Sequence, residues 1–497
     1  MNVKALAIHL GELRLGVLFQ YALPGAAVTN RFVADEDLVA RAGAVMPTLS
    51  LSMRAATPQA QAAVWRDIRS ASFNGRHSAK NGWLLPAFFQ NLLPEGVFRD
   101  HVAALRQCAP TDHFEMLAAC GKDLPGKVHA LPVALSRDEL ARYVTQGQDA
   151  LEMSVTADPL EEGVSLSGVQ PKLGVIRDGD RYVGRTKDHD THIIAKLPVV
   201  GQPLLPEVED LTLRLARAAG VDTCDAALEP LERLGLPHGY DLGDATGQTR
   251  FLAVTRFDRS PAGRIHVEDF AQILGRMPED KYGGGPDGRP VTYLDIAAVL
   301  MAEPSMGQPA VHELLRRLVV NEMVGNADMH LKNLGVRYLD GLTPTLSPAY
   351  DLVAYAVYHR LRGHALLILP PEYLPRAARA SEGAATAPQS MSPALLQAFC
   401  DRLRIPVKPA EQAISRCVKA AFAHWPEMIE ASLLTAQQKQ RLLAHFQAHE
   451  LVASLARRAA RTAAKAQTAQ SVQTAQASPS AQTAPMAERP GGEAASG

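Results

Sequence analysis

Apolar and polar positions alternate at the start of the chain. Leu13, Leu15, Val17, Phe19 and Tyr21 repeat at period two, with Gly11-Glu12 standing between this run and the preceding one. Period two sends successive side chains to opposite faces of a strand, so the segment predicts a β-hairpin. Lys4, Glu12 and Arg14 interrupt every apolar run, which argues against a signal peptide. PAFFQNLLPEGVFRDHVAALRQ then predicts helix. The extended pattern returns in VSLSGVQPKLGVIRDGDRYVGR and HIIAKLP, followed by one amphipathic helix, EVEDLTLRLARAAG. From about 265 to 455 the spacing is helical: in VHELLRRLVVNEM, Val311, Leu314, Leu315, Leu318 and Val319 mark one face. Beyond about 456, Ala, Gln, Thr, Ser and Pro follow one another without periodicity, which predicts a disordered tail.

These changes of period divide the chain into 1–115, strands and then helix; 116–160, a loosely patterned connector; 161–257, strand-rich; 258–455, mainly helical; and 456–497, the tail. The fold class is α+β. A strand-rich block with one helix, followed by a helical block, is the order of a two-lobed kinase, here preceded by a small N-terminal α/β subdomain.

Composition narrows the partners. The 497 residues are ample for several domains and a buried core. Charge is balanced, 51 Lys+Arg against 52 Asp+Glu, so the chain lacks the basic footprint of a dedicated nucleic-acid binder. No stretch reaches the ~18 uncharged apolar residues of a membrane span. Cys108, Cys120, Cys224, Cys400 and Cys417 are odd in number and scattered, without a CxxC pair; they fit neither a disulfide framework nor a zinc site and point to the reducing cytosol.

Candidate chemistry concentrates at GNADMHLKN, residues 325–333, after the apolar helix. The following LGVRYLDGLTPTLSPAYDLV has two extended runs around Asp340-Gly341, a strong hairpin signal. A hairpin leaving at Asn333 and returning at Asp351 brings those side chains together with Asp328. Phosphoryl transfer needs such a set: a carboxylate to take the proton of the attacking hydroxyl, and oxygen ligands to hold Mg²⁺ against the phosphates. Asp328 is the expected base, five positions before Asn333 as in kinase catalytic loops, with Asn333 and Asp351 the expected metal ligands. D-x-x-x-x-N alone is a weak signal; the hairpin and the third oxygen ligand sharpen it. Lys196 ends the apolar run of HIIAKLP and by itself reads as a strand-end charge. Paired with Glu209 on the following helix it would grip the α and β phosphates, with Glu207 as rival for the pairing. SLSGVQPKLG carries Gly168 and Gly174 without a GxGxxG or Walker ending, so the pattern alone fits a plain turn equally well.

SLSGVQPKL, the HIIAKLP lysine, VTRFDR at 254–259, GNADMHLKN and PAYDLV at 348–353 together resemble HipA-type serine/threonine kinases, the toxins of bacterial toxin–antitoxin pairs. LSLSM and FFQNLLPEG resemble that family's N-terminal subdomain. The resemblance covers residues 1 to about 400 and implies a two-subdomain kinase using ATP and Mg²⁺. By that resemblance Asp328 is the catalytic base, Asn333 and Asp351 bind metal, and Lys196 binds ATP. Gly168, Val169 and Gln170 fall in the phosphate loop, and Thr255 and Phe257 at the adenine hinge. His330 and Lys332 take supporting roles in phosphate contact or loop packing. An autophosphorylated serine is implied at Ser165, with Ser167 as rival. The implied substrate is a translation component such as an aminoacyl-tRNA synthetase, and the implied partner a small helix-turn-helix antitoxin that supplies any DNA contact. There is no HRD triplet before the base, and Leu-Val stands where eukaryotic kinases have Phe-Gly, departures that HipA-type kinases share. A small-molecule kinase of the aminoglycoside or choline type shares the D-x-x-x-x-N logic. A non-enzymatic co-repressor has no physical need for the four site residues.

Two further clusters read as ordinary structure. Asp188, His189, Asp190 and His192 have metal-ligand chemistry, but consecutive residues in a turn point apart, so a solvated turn is expected. KYGGGPDG at 281–288 reads as an inter-helix loop, although its glycines could cradle phosphate.

Overall fold

The computed structural model describes residues 2–21, 28–40, 48–68, 70, 72–77, 84–143, 152–153, 170–184, 190–236, 249–285, 288–359, 363–375 and 388–476. These form two units, Met1–His449 and Glu450–Gly497.

The first unit opens with the expected hairpin, β1 (Asn2–Leu10) against β2 (Leu13–Tyr21), turning at Gly11 with φ 66°. β3 (Val28–Ala34) and β4 (Asn74–His77) extend the sheet from β2. On the other side β5 (Val128–Pro132) pairs antiparallel with β1, and β6 (Glu152–Met153) runs parallel to its start. The N-terminal region therefore continues past residue 115, where the sequence pattern suggests a connector. Its helix α1 (Gly96–Arg106) is followed by α2 (His113–Cys120), whose buried face joins a core of Leu6, Ile8, Leu18, Phe32, Trp65 and Phe88. A short strand such as VHALP carries too little periodicity to be separated from a loop. Pairing with β1 makes it a strand.

The second sheet has the order β10-β11-β9-β7-β8. Its strands are β7 (Lys172–Asp178), β8 (Arg181–Val183), β9 (Ile193–Lys196), β10 (Ala226–Pro230) and β11 (Arg250–Thr255). Val175, Ile193, Ala195 and Phe251 supply its apolar face, and helix α3 (Leu205–Ala218) packs against β10 and β11. A short ladder, β12 (Arg259–Ser260) with β13 (Gly263–Arg264), leads into a third sheet. There β14 (His266–Asp269) pairs with β15 (Gly335–Tyr338), which pairs in turn with β16 (Pro344–Leu346). The β15–β16 pair is the hairpin expected around Asp340-Gly341.

The helical part contains α4 (Tyr293–Ala302), α5 (Gly307–Val324), α6 (Val407–Glu430) and α7 (Ala436–Ala448). Val311, Leu314, Leu315, Leu318 and Val319, the predicted face of α5, are all fully buried. Trp425 of α6 is buried beside Phe446, and its indole N–H donates to Leu215 O of α3 at 2.8 Å, tying the helical part to the strand-rich part.

In the second unit, α8 (Glu450–Gln476) is helical well beyond 456, where the absence of periodicity predicts disorder. Periodicity reports only whether a segment has an apolar face to bury. Ala, Gln, Arg and Lys are strong helix formers whatever face they bury, and that local preference carries the helix through Gln476.

Candidate active site

Helix α5 stops at Gly325, which takes φ 70°. Asn326 N–H returns to Asn321 O at 2.8 Å and Gly325 N–H to Glu322 O at 3.3 Å, the paired bonds of a Schellman cap. A Cβ at Gly325 would also stand 3.0 Å from Ala356 Cβ. The glycine thus turns the chain out of the helix and into the polar loop. The buried side chain of Asn326 braces that loop. Its Nδ2 donates to Asn321 Oδ1 at 2.7 Å, and its Oδ1 accepts Asp328 N–H at 3.1 Å.

Asp328 and Asn333 meet directly: Asn333 Nδ2 donates to the Asp328 carbonyl at 2.8 Å. That bond leaves Asn333 Oδ1 as the acceptor available to a cation. Tyr293 OH fixes the Met329 carbonyl at 2.7 Å and Tyr350 OH fixes the Lys332 carbonyl at 2.8 Å, so the loop is held from two sides. The carboxylate of Asp328 accepts Tyr282 OH at 2.7 Å.

Lys196 lies at the end of β9 and is buried. Its ammonium bonds Glu209 Oε1 at 2.5 Å and also contacts the Asp351 carboxylate. The pairing left open between Glu207 and Glu209 goes to Glu209. Against the cost of burial, Asp351 and Glu209 hold the Lys196 ammonium charged. Against its own burial, Lys196 and then Lys172 hold the Asp351 carboxyl well below the usual range. Asp351 has φ 53°, a left-handed conformation that costs a non-glycine residue about 1–3 kcal/mol and is typical of strained functional positions.

Lys196, Asp351 and Asn333 line one cleft with Lys172, Thr255 and Phe257. Ile194, Val254 and Val336 give the cleft an apolar wall, and Lys172, Lys196, Asn333 and Asp351 give it a polar one, a combination that suits a ligand with an apolar and an anionic part. Thr255 N–H and Arg256 N–H are already taken by Asp225 O at 2.8 Å and His192 O at 3.0 Å. A ligand would therefore meet carbonyls or Phe257 in this segment. No group of three or more His, Cys, Asp or Glu able to hold a metal occurs among the described residues. An amide and a single carboxylate suit Mg²⁺, which keeps water and phosphate oxygens among its ligands.

Other predicted positions behave differently. Lys332 Nζ turns to the N-terminal region, bonding Asn91 O at 3.0 Å and Asn91 Oδ1 at 3.1 Å, with Glu95 at 3.3 Å. Lys332 also lines the cleft itself, beside Asn333 and Asp351. His330 is buried, which pushes its imidazole down to about 4, so it is neutral near pH 7; its ring meets Tyr282 edge-on. Gln170 donates to Leu197 O at 3.2 Å. Ser165, Ser167, Gly168 and Val169 lie outside the described residues, as do Asp188 and His189. Asp190 pairs with Arg264 at 2.7 Å, and His192 accepts Arg177 N–H at 3.3 Å, so these two have structural partners.

Several contributors escape the sequence pattern. Lys172 stands in QPKLG and is detectable as a second lysine on an adjacent strand. Tyr282 lies in the KYGGG stretch, where the glycines draw attention away from it. Asn91 and Glu95 belong to FFQNLLPEG, whose contact with Lys332 spans 241 positions for Asn91 and leaves no local signal.

Two family profiles cover most of this architecture. The profile described as HipA N-terminal domain matches residues 6–131, and that described as HipA-like C-terminal domain matches 164–425. This chain belongs to the HipA-like family. Among its relatives, "Putative kinase Y4dM" of Sinorhizobium fredii is 38% identical over 283 residues, 55% of this chain and 63% of that protein. Y4mE of the same organism is 32% identical over 292 residues, 54% of this chain and 64% of that protein. The match thus spans a little under two thirds of these curated relatives. Among solved structures, HipA of Shewanella oneidensis MR-1, in a toxin–antitoxin complex with HipB and operator DNA, has a TM-score of 0.58 at 21% identity. It covers 89% of the HipA-like chain and 96% of its own. The likeness supports the two-lobed kinase-like fold. The N-terminal match ends at 131, with β5, in agreement with the longer N-terminal region seen in the fold. No described helix is long and apolar enough to cross a membrane.

Proposed function

We propose that this HipA-like protein is an ATP-dependent serine/threonine protein kinase and the toxin of a toxin–antitoxin pair. The observation that carries the reading is the convergence of Lys196, Asp351 and Asn333 on one cleft, with Asp328 bonded to Asn333. Lys196, held charged by Asp351 and Glu209, grips the α and β phosphates. Asp351 and Asn333 Oδ1 would hold Mg²⁺, which when bound would neutralise charge on the phosphate oxygens. Asp328 orients the acceptor hydroxyl and takes its proton as the oxygen attacks the γ-phosphorus and ADP leaves. The remaining parts of the reading rest on family membership: a translation component such as an aminoacyl-tRNA synthetase as substrate, a small helix-turn-helix antitoxin as partner, and self-inactivation by phosphate at Ser165 or Ser167. A phosphoserine beside a phosphate-binding loop adds about −1.5 to −2 charge and competes with the polyanionic nucleotide.

Incubating the full chain with γ-labelled ATP, Mg²⁺ and bacterial lysate tests this. Labelled protein bands that vanish with Asp328→Ala are expected, together with phosphate on Ser165 or Ser167 of the wild type alone. Labelled small metabolites in place of proteins would overturn protein kinase activity in favour of a small-molecule kinase. Label transfer by the Asp328→Ala protein at the wild-type rate would overturn the site.

A further inference from the structure

Tyr282 is an unusual tyrosine. It is 53% exposed, so it adds little to the core, yet its hydroxyl donates to Asp328 Oδ1 at 2.7 Å. That is the length of a hydroxyl–carboxylate hydrogen bond, and it is the contact a substrate hydroxyl makes with a general base before transfer. Burial, and then the hydrogen bond to Asp328, push the phenol above its usual range, so it remains a donor across the physiological range.

The placement is built from both sides. Leu331 N–H of the catalytic loop donates to Lys281 O at 3.1 Å, fixing the residue before Tyr282 to the segment that carries Asp328. After it, Gly283 takes φ 89° and its carbonyl accepts Val291 N–H at 2.9 Å; a Cβ there would stand 2.7 Å from Val291 O. The ring meets His330 edge-on at 5.1 Å, and the Lys281 ammonium lies 5.6 Å from its centre. The backbone is therefore anchored while the half-exposed side chain is held at its tip by a single hydrogen bond. Such a bond is readily exchanged for one from another hydroxyl.

We propose that Tyr282 is a gate on the acceptor position: its phenol occupies the place at Asp328 that a substrate hydroxyl takes, keeps water out, and yields when the substrate docks. The proposal rests on Asp328 being the base, the reading given above. It assigns to the KYGGG stretch control of what reaches the base, in place of phosphate binding.

Water is the acceptor that needs no identified substrate, so ATP hydrolysis by the full chain is the assay. Tyr282→Phe keeps the ring and removes the hydroxyl. Hydrolysis should rise about five- to tenfold in kcat, the size expected for one exposed hydrogen bond, with KM for ATP unchanged. Asp328→Ala should lower hydrolysis by ~10²–10⁴ in either background. Hydrolysis at the wild-type rate with Asp328→Ala would remove the base and the gate together. An impaired Asp328→Ala beside a Tyr282→Phe at or below wild type would remove the gate alone, because a structural or supporting tyrosine lowers turnover when changed. Independently of turnover, 3-fluorotyrosine at position 282 reports the contact. Its ¹⁹F resonance should move on Asp328→Ala, and an unmoved resonance would overturn the proposal. Phosphate on Tyr282 after incubation with Mg·ATP would also overturn it, since the phenol would then be a substrate.

Discussion

Two buried ionic clusters stand at the cleft, and they are built in opposite ways. Around Arg256 the charges close on one another. Arg256 forks onto Asp258 at 3.0 and 2.9 Å and reaches Asp123 at 3.2 Å. Arg259 adds bonds to Asp123 at 2.7 Å and to Asp258 at 2.8 Å. Thr191 and Gly126 N–H supply further donors, at 2.8 and 2.7 Å, to Asp123 and Asp258. Around Lys196 the cluster is open. Glu209 Oε2 is buried without a partner among the described residues, and the side chain of Asp351 keeps 28% of its surface accessible. A closed network spends its charges on holding the N-terminal region, through Asp123 and Gly126, against the segment that carries Thr255 and Phe257. An open one keeps ligand capacity for something that arrives. Buried charge alone therefore does not mark a functional site; a charged group left accessible in a cleft, as Asp351 is, does.

Two glutamates repeat the contrast. Glu322 accepts from His364 at 2.8 Å, His449 at 3.0 Å, Ser390 at 2.9 Å and Met391 N–H at 2.7 Å. Against burial, these donors, led by His364, bring its carboxyl down to about 2. Glu268, on the cleft wall, accepts Tyr338 OH and Leu51 N–H on one oxygen, while the other has no partner among the described residues. Burial pushes it up to about 7.

The sharpest test separates turnover from folding. Asp328→Ala should lower phosphoryl transfer by ~10²–10⁴ while shifting the unfolding free energy by less than about 1 kcal/mol, read by labelled-ATP transfer beside urea denaturation. Asp123→Ala should do the reverse where folding is concerned: stripping one partner from a buried network costs about 3–5 kcal/mol, seen as a lower denaturation midpoint. An Asp123→Ala protein as stable as wild type would break the comparison.

A smaller effect comes from Glu268. Unfolded it titrates near 4.5 and folded near 7, so the folded state binds the extra proton between those values. Stability from this group is full below about 4.5, falls as pH rises toward 7, and is flat above, a loss of about 3 kcal/mol. Glu268→Gln should flatten that part of the profile, as read by denaturation midpoints across pH. Glu322 works in the other direction, contributing stability above about 4.5 that is lost as pH falls toward 2. Smallest of all is Arg54 with Glu303, a 2.6 Å pair whose arginine is 39% exposed. Arg54→Ala should cost under ~1 kcal/mol, because exposed pairs are screened by solvent. A larger loss in denaturation would mean that the surface, and not the Asp123 network, carries the junction between regions.

What the sequence determined by itself was whatever its own neighbours dictate. Alternation specified the β1–β2 hairpin, the apolar face of α5 was legible at helical spacing, and Asp340-Gly341 announced the turn that returns Asp351 toward Asn333. Those are local signals, set by side-chain period and turn chemistry within about twenty positions. Tertiary structure decided what depends on distant partners. Both glutamates of α3 are buried, and it is Glu209 that α3 presents to Lys196. Lys332 turns to Asn91 because the N-terminal region lies against the 325–333 loop, and Asp123, 133 positions before Arg256, closes a network that no window of sequence contains. β5 shows the same limit, since its strand state comes from pairing with β1 rather than from its own short pattern. In α8 beyond 456 the local helix preference prevails over the absence of apolar periodicity. Periodicity and turn residues act through adjacent backbone, whereas ion-pair closure and orientation toward a cleft are properties of the packed chain and are written only in its contacts.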